Sequence, residues 1–142
     1  SHFAPDSMDD AVKIYHANFK PSKQLKEPYV MICINVICAQ TNEQAQYLAT
    51  SELQKFLYLH RGDDKQLQKP TKDMNSLWED WEEKSIRYKT RESIWGTPQF
   101  VKERLKSLID RTGANEIMIN CMVHNPEDRI KSYKLISKVW FE

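Results

Sequence analysis

The sequence predicts a parallel α/β fold, and one local pattern met three times predicts it. An apolar strand, a turn with a helix cap and an amphipathic helix follow one another from Pro28 to Ala39 into Thr41-Asn42-Glu43-Gln44. The pattern returns from Glu92 to Trp95 into Gly96-Thr97-Pro98, and from Asn115 to Val123 into Asn125-Pro126-Glu127-Asp128. Strands alternating with helices mark a parallel sheet. A closed eight-fold barrel takes about 250 residues, and this chain has 142, so about three units of a larger arrangement are expected.

Each element has its own justification. Met8, Ala11, Val12, Tyr15 and Phe19 recur at helical spacing behind Asp6 or Ser7 as cap, and Pro21 stops that helix. In the strand from Pro28, Val30, Ile32, Ile34 and Val36 share one face, while Tyr29, Met31, Cys33, Asn35 and Ile37 share the other. Both faces are largely apolar, as a parallel strand covered on both sides requires. The branched face is expected beneath helices, and the asparagine face toward a barrel interior or an active-site mouth.

Thr41 and Gln44 form a capping-box pattern. The helix they open carries Ala45, Leu48, Ala49, Leu53, Phe56 and Leu57 to a stop at Gly62. Asp63 to Asn75 has no period and contains Pro70, and reads as a loop; Ser76 to Tyr88 is expected to be a covering helix. Thr97 and Pro98 start the next helix, with Val101, Leu105, Leu108 and Ile109 as its stripe and Gly113 as its end. The strand from Glu116 to Val123 places Ile117, Ile119, Cys121 and Val123 on one face and Met118, Asn120 and Met122 on the other. Asn125 and Pro126 open the final helix.

Composition narrows the function. Hydrophobic residues make up 40% of the chain and aromatic residues 11%, in keeping with one packed domain over 1–142. Net charge is +1, from 21 basic and 20 acidic residues spread along the chain, so no nucleic-acid partner is expected. The longest apolar run, Val30 to Ala39, is far short of the ~20 residues that span a bilayer. The N-terminus lacks the basic and apolar regions of a signal peptide, from which a cytoplasmic location is expected. Cys33 and Cys38 fall on opposite faces of one strand, so three ordinary thiols and no metal site are expected.

No GxGxxG, Walker loop, HExxH or paired CxxC occurs, which sets aside Rossmann and P-loop readings. Gly96-Thr97-Pro98 is better read as a strand-to-helix turn than as a phosphate site. His2 and His124 each follow a strand position and precede a helix, the place where a parallel barrel builds its active site. His16 and His60 invite no role beyond solvation or a helix-terminal charge. Trp78, Trp81 and Trp95 are packing anchors before they are a stacking platform, and Glu79, Asp80, Glu82 and Glu83 read as a solvated face.

Taken together, Ser1-His2-Phe3-Ala4-Pro5-Asp6, the stretch PYVMICINVICAQTNEQAQYLA, the stretch GTPQFVKERLKSLIDRTGANEIMI and the closing helix resemble the C-terminal part of luciferase-like flavin-dependent monooxygenases. The resemblance implies a partial (β/α)8 TIM barrel, the C-terminal portion with about three parallel βα units. It also implies reduced FMN as cofactor, dioxygen as oxidant and a small organic substrate such as an aldehyde. Ser1 to Pro5 would follow the fifth strand, with Ser1, His2, Phe3 and Ala4 at the flavin phosphate. The three strands of this chain would be the sixth, seventh and eighth, with 63–90 as an insertion before the strand near 92–95. Asn35, Asn120 and His124 are the further cofactor-side candidates, at the barrel interior or its C-terminal face; no catalytic residue is assigned. The earlier strands are absent, so the chain alone is expected to lack a complete active site and to associate with itself or with a missing N-terminal half. The competing reading is a noncatalytic α/β module that self-associates through unpaired strand edges.

Overall fold

The computed structural model describes residues 7–142; Ser1 to Asp6 lie outside the described residues. The element order is α1 (Met8–Asn18), β1 (Met31–Cys38), α2 (Asn42–His60), α3 (Asp80–Lys89), β2 (Ile94–Gly96), α4 (Pro98–Thr112), β3 (Glu116–Asn120) and α5 (Pro126–Phe141). Local chemistry sets most boundaries. Thr41 accepts the Gln44 N–H at the head of α2, Asn125 accepts the Glu127 N–H at the head of α5, and Pro98 opens α4. Gly113 ends α4 in the left-handed conformation at φ 64°, where a side chain would be strained. At Gly96 the reason for glycine is space, because a Cβ there would lie 2.5 Å from Phe100 Cδ1.

All three strands are parallel, in the order β2-β1-β3. The register pairs Met31 with Glu116 and continues through Cys33 with Met118 to Asn35 with Asn120. Beyond that point, Val36 to Cys38 pair with Ile94 to Gly96. The backbone explains the two edges. Val30 C=O accepts the Asn115 and Glu116 N–H groups on one side, and the Ala39 N–H reaches Gly96 C=O at 3.1 Å on the other.

This order corrects the expected strand assignment. Consecutive strands of a parallel barrel lie side by side, and β3 lies against β1 rather than β2. β1 and β3 are therefore the consecutive pair, and β2 is a short extra strip on the opposite edge of β1.

The branched face of β1 forms the larger core. Val30, Ile32, Ile34, Val36 and Cys38 pack with Val101, Leu105 and Leu108 of α4, Ile136 of α5 and Met8 of α1, and Ile117 and Ile119 join from β3. The asparagine face, expected to point toward a barrel interior or an active-site mouth, is open along only part of its length. Ile37 packs with Ala45, Leu48 and Ala49 of α2, which covers the C-terminal half of that face. Its N-terminal half is open: Met31 is 51% exposed and Met118 48%.

Two further boundaries differ from expectation. β3 stops at Asn120 instead of Val123, because Cys121 and Val123 turn into the α2 cluster. α3 starts at Asp80 instead of Ser76, because Trp78 is drawn into a third cluster with Leu53, Phe56, Leu57 and Ile86. The acidic run is not wholly solvated: Glu82 is buried, takes two bonds from Arg61 and closes a capping box with Glu79. The loop from Asp63 is strapped to α2 by Gln54 to Lys69 C=O, Lys55 to Lys65 C=O and Thr71 N–H to Thr50. Among the described residues, no helix is long and apolar enough to cross a membrane.

Ile34 lies at the centre of this packing with 1% of its surface exposed. Ile34→Ala should destabilise the chain by about 2–5 kcal/mol through lost burial and a residual cavity, read as a lower midpoint in urea unfolding.

Candidate functional site

The candidate site is the asparagine face, where β1 and β3 bring Asn35 and Asn120 together as register partners. Asn120 Nδ2 donates to Asn35 Oδ1 at 2.7 Å. Asn35 Nδ2 donates in turn to Glu52 Oε1 at 2.9 Å and contacts Met122 Sδ at 3.9 Å. Ser93 Oγ donates to the same Glu52 oxygen at 2.6 Å, and Trp95 Nε1 donates to Glu52 Oε2 at 3.0 Å. One carboxyl on α2 thus joins the approach to β2, β2 itself and β1, and reaches β3 through Asn35.

Burial divides the roles within the group. Asn35 and Glu52 are both wholly buried, so neither meets a ligand directly. Asn120 is half-buried at the boundary with the open stretch that carries Met31, Cys33 and Met118. A ligand beside Asn120 therefore meets its amide next to Met31, Cys33 and Met118, with the Tyr29–Glu116 hydrogen bond at the far end of the open stretch.

The other residues singled out in the sequence lie elsewhere. Ser1, His2, Phe3 and Ala4 fall outside the described residues. His124 is half-buried between β3 and the Asn125 cap of α5, beyond the C-terminal end of the strand as its spacing implied. His60 lies 3.1 Å from Lys89 Nζ and packs near Trp81. Trp78 is buried, Trp81 is exposed, and only Trp95 joins the polar group. The three cysteines are free thiols. Burial pushes the Cys38 thiol up to about 11 and raises that of Cys121, away from the reactive thiolate.

Sequence reasoning missed Glu52 and Ser93. The signal for Glu52 was present: it falls four residues after Leu48 and three after Ala49, inside the apolar stripe of α2. Ser93 reaches it only because β2 lies against β1, a long-range fact.

Two buried carboxyls shift in opposite senses. Desolvation raises Glu52 above the ordinary 4.5, against the pull of its three donors. The Arg61 guanidinium, with the Glu79 N–H, holds Glu82 down to about 2. Linkage gives each a sign. Glu82 contributes stability in full above pH 4.5 and loses it as pH falls toward 2. For Glu52 the folded chain holds its proton more tightly than the unfolded one, so its contribution is lost as pH rises above 4.5 through the raised folded value. Urea unfolding from about pH 2 to about pH 8 should show Glu82→Gln flattening the acid limb and Glu52→Gln flattening the rise-dependent loss. Unchanged slopes in both variants would refute the assignment.

Comparison with known proteins places this geometry. No family model matches the chain. Over 139 residues, 98% of the chain, it is 38% identical to a protein of Escherichia coli (strain K12) named Luciferase-like monooxygenase. Over 140 residues it is 39% identical to the Bacillus subtilis (strain 168) Uncharacterized protein YvbT. In each case the chain spans 42% of the relative's length. The fold is similar to that in the crystal structure of apo-MsnO8, with a TM-score of 0.76 over 98% of this chain and 43% of that one, at 23% identity. With its parallel strands and these relatives, the chain is similar over nearly its whole length to part of a luciferase-like monooxygenase, which supports reading it as a C-terminal fragment of that family.

Proposed function

We propose that the chain supplies one wall of a flavin-dependent monooxygenase site that uses reduced FMN and dioxygen on an aldehyde-like or other small organic substrate. The observation that carries this reading is the half-open asparagine face, in a chain whose relatives include a named luciferase-like monooxygenase. The residues fit the group in kind: Met31 and Met118 offer an apolar surface for a flat ring, and Asn120 offers a polar contact at its edge. When bound, the flavin supplies the electrons and the oxygen chemistry.

The chain's own residues bind, orient and exclude water. Packing of Ile37 under Ala45, Leu48 and Ala49 closes the C-terminal half of the face. Asn120 is held in one rotamer by Asn35. Ser1, His2, Phe3 and Ala4 are proposed to hold the phosphate, and His124 to stand at the strand end where the substrate enters. The segment 63–90 is proposed as an insertion, strapped to α2, that shields this mouth.

The rest of the cofactor's surroundings is proposed to come from another chain segment or a second copy. β3 is an edge strand among the described residues. Beside it runs a groove of about 520 Å³ lined by Leu105, Ile117, Ile119, Tyr133, Ile136 and Trp140, among others. That apolar edge also favours the second reading, a self-associating module without catalysis.

Titration of FMN against the 142-residue chain by flavin fluorescence should give weak binding or none, and aldehyde oxidation should be undetectable without the remaining barrel strands. Submicromolar affinity with turnover would show instead that this chain is a complete enzyme. Sedimentation at micromolar concentration should give a dimer or larger species, and a compact stable monomer would contradict the partner proposal.

A further inference from the structure

The buried Glu52 group has a directional property that the flavin reading does not use. A side-chain amide is ambiguous by shape, because its oxygen and nitrogen ends are nearly isosteric; only its partners fix which end points where. Asn35 is fixed on its nitrogen side twice. Its Nδ2 faces Glu52 Oε1 and Met122 Sδ, both acceptors. Turned over, it would set its carbonyl oxygen against a carboxyl oxygen in a site with no water-accessible surface.

The orientation is compatible with protonation of the carboxyl, and the Met122 sulfur still favours it. Ser93 Oγ lies 2.6 Å from Glu52 Oε1 and can accept as well as donate, so a proton on that oxygen is received by Ser93 while Oε1 still accepts from Asn35. With its nitrogen committed, Asn35 can offer only Oδ1 to its neighbour, and Asn120 must answer with Nδ2, as it does at 2.7 Å. The carbonyl of Asn120 is then the end left over. Asn120 is half-buried, at the edge of the stretch opened by Met31 and Met118.

We infer that Glu52 is a positioning residue: acting through Asn35, it turns the Asn120 carbonyl toward the open part of this face and makes it an acceptor for a ligand N–H group, such as that of an amide or cyclic imide. The inference concerns the polarity of the site and stands whether or not the ligand is a flavin.

Two variants test the polarity by NMR on the 142-residue chain. In Glu52→Gln every bond is met if Gln Oε1 accepts from Trp95 while its Nε2 donates to Ser93 and to a reversed Asn35. The scalar coupling across the Asn120-to-Asn35 hydrogen bond should therefore change direction, from Asn120 nitrogen to Asn35 carbonyl in the parent to the reverse in the variant. The same direction in both would overturn the proposal. Should Glu52→Gln fail to fold, Asn120→Asp carries the test, since it places an acceptor-only group against the Asn35 carbonyl. Its carboxyl should titrate above the ordinary aspartate value of about 3.9, whereas an unshifted or lowered value would mean that Asn35 presents its N–H₂.

The acceptor itself is probed with uracil and 1,3-dimethyluracil, which differ by the N–H donors. Uracil should shift the Asn120 amide resonances and bind about fivefold more tightly than the dimethyl compound, the worth of one hydrogen bond, and Asn120→Ala should abolish the preference. Equal binding of the two compounds, or no response to uracil, would overturn the acceptor assignment. A chain that passes these tests but fails to bind FMN would count against the flavin reading and leave this one standing.

Discussion

The whole arrangement depends on β1 serving two partners in succession. Its first five residues pair with β3, and its last three pair with β2 on the opposite edge. Because side chains alternate along the strand, this one segment also fixes what each layer of the molecule contains. The branched side chains must lie under α1, α4 and α5, and Asn35 and Ile37 must lie under α2. A slip of one residue would send Ile34 to the amide layer and Asn35 into the apolar one. The pairing of Asn35 with Asn120 opposes such a slip, since only the observed register brings the two amides together.

The cost of this design is a carboxyl group with no water around it. A buried acid needs full hydrogen bonding to be tolerated, and Glu52 obtains it from three separate elements. The same three bonds tie α2 to β1, to β2 and to the residue just before β2. Here polar burial substitutes for part of the apolar packing that α2 lacks above Asn35. By contrast, Glu82 answers the same problem locally, with Arg61 and the Glu79 N–H.

What could be read in the sequence was what neighbouring residues determine. Thr41, Pro98, Gly113 and Asn125 marked helix ends correctly because caps act over a few residues. Alternation placed Asn35 and Asn120 on one face, and the register confirms the pairing. What escaped was decided at long range. β3 ends early because Cys121 and Val123 gain more from α2 than from continuing the ladder. The order β2-β1-β3 depends on which edge a strand joins, and nothing in residues 92–96 encodes that choice. Within the site, the two asparagines were legible as strand residues, Glu52 was visible as an oddity in an apolar stripe, and Ser93 had no local signal at all.

One contact changes how the middle of the chain can be regarded. The Thr97 N–H reaches Asn42 Oδ1 across 55 positions of sequence at 3.3 Å, so the stretch holding α2, the strapped loop, α3 and β2 leaves and re-enters the sheet at nearly the same point. Polymer statistics make the length of such an excursion cheap to alter, with each doubling costing only about 0.6 kcal/mol. Residues can be added or removed in the loop after His60 while β1, β3 and the amide pair keep their places. The molecule thus separates a part that must hold still from a loop free to vary in length, and Asn42 at the head of α2 is one of the contacts that close the excursion.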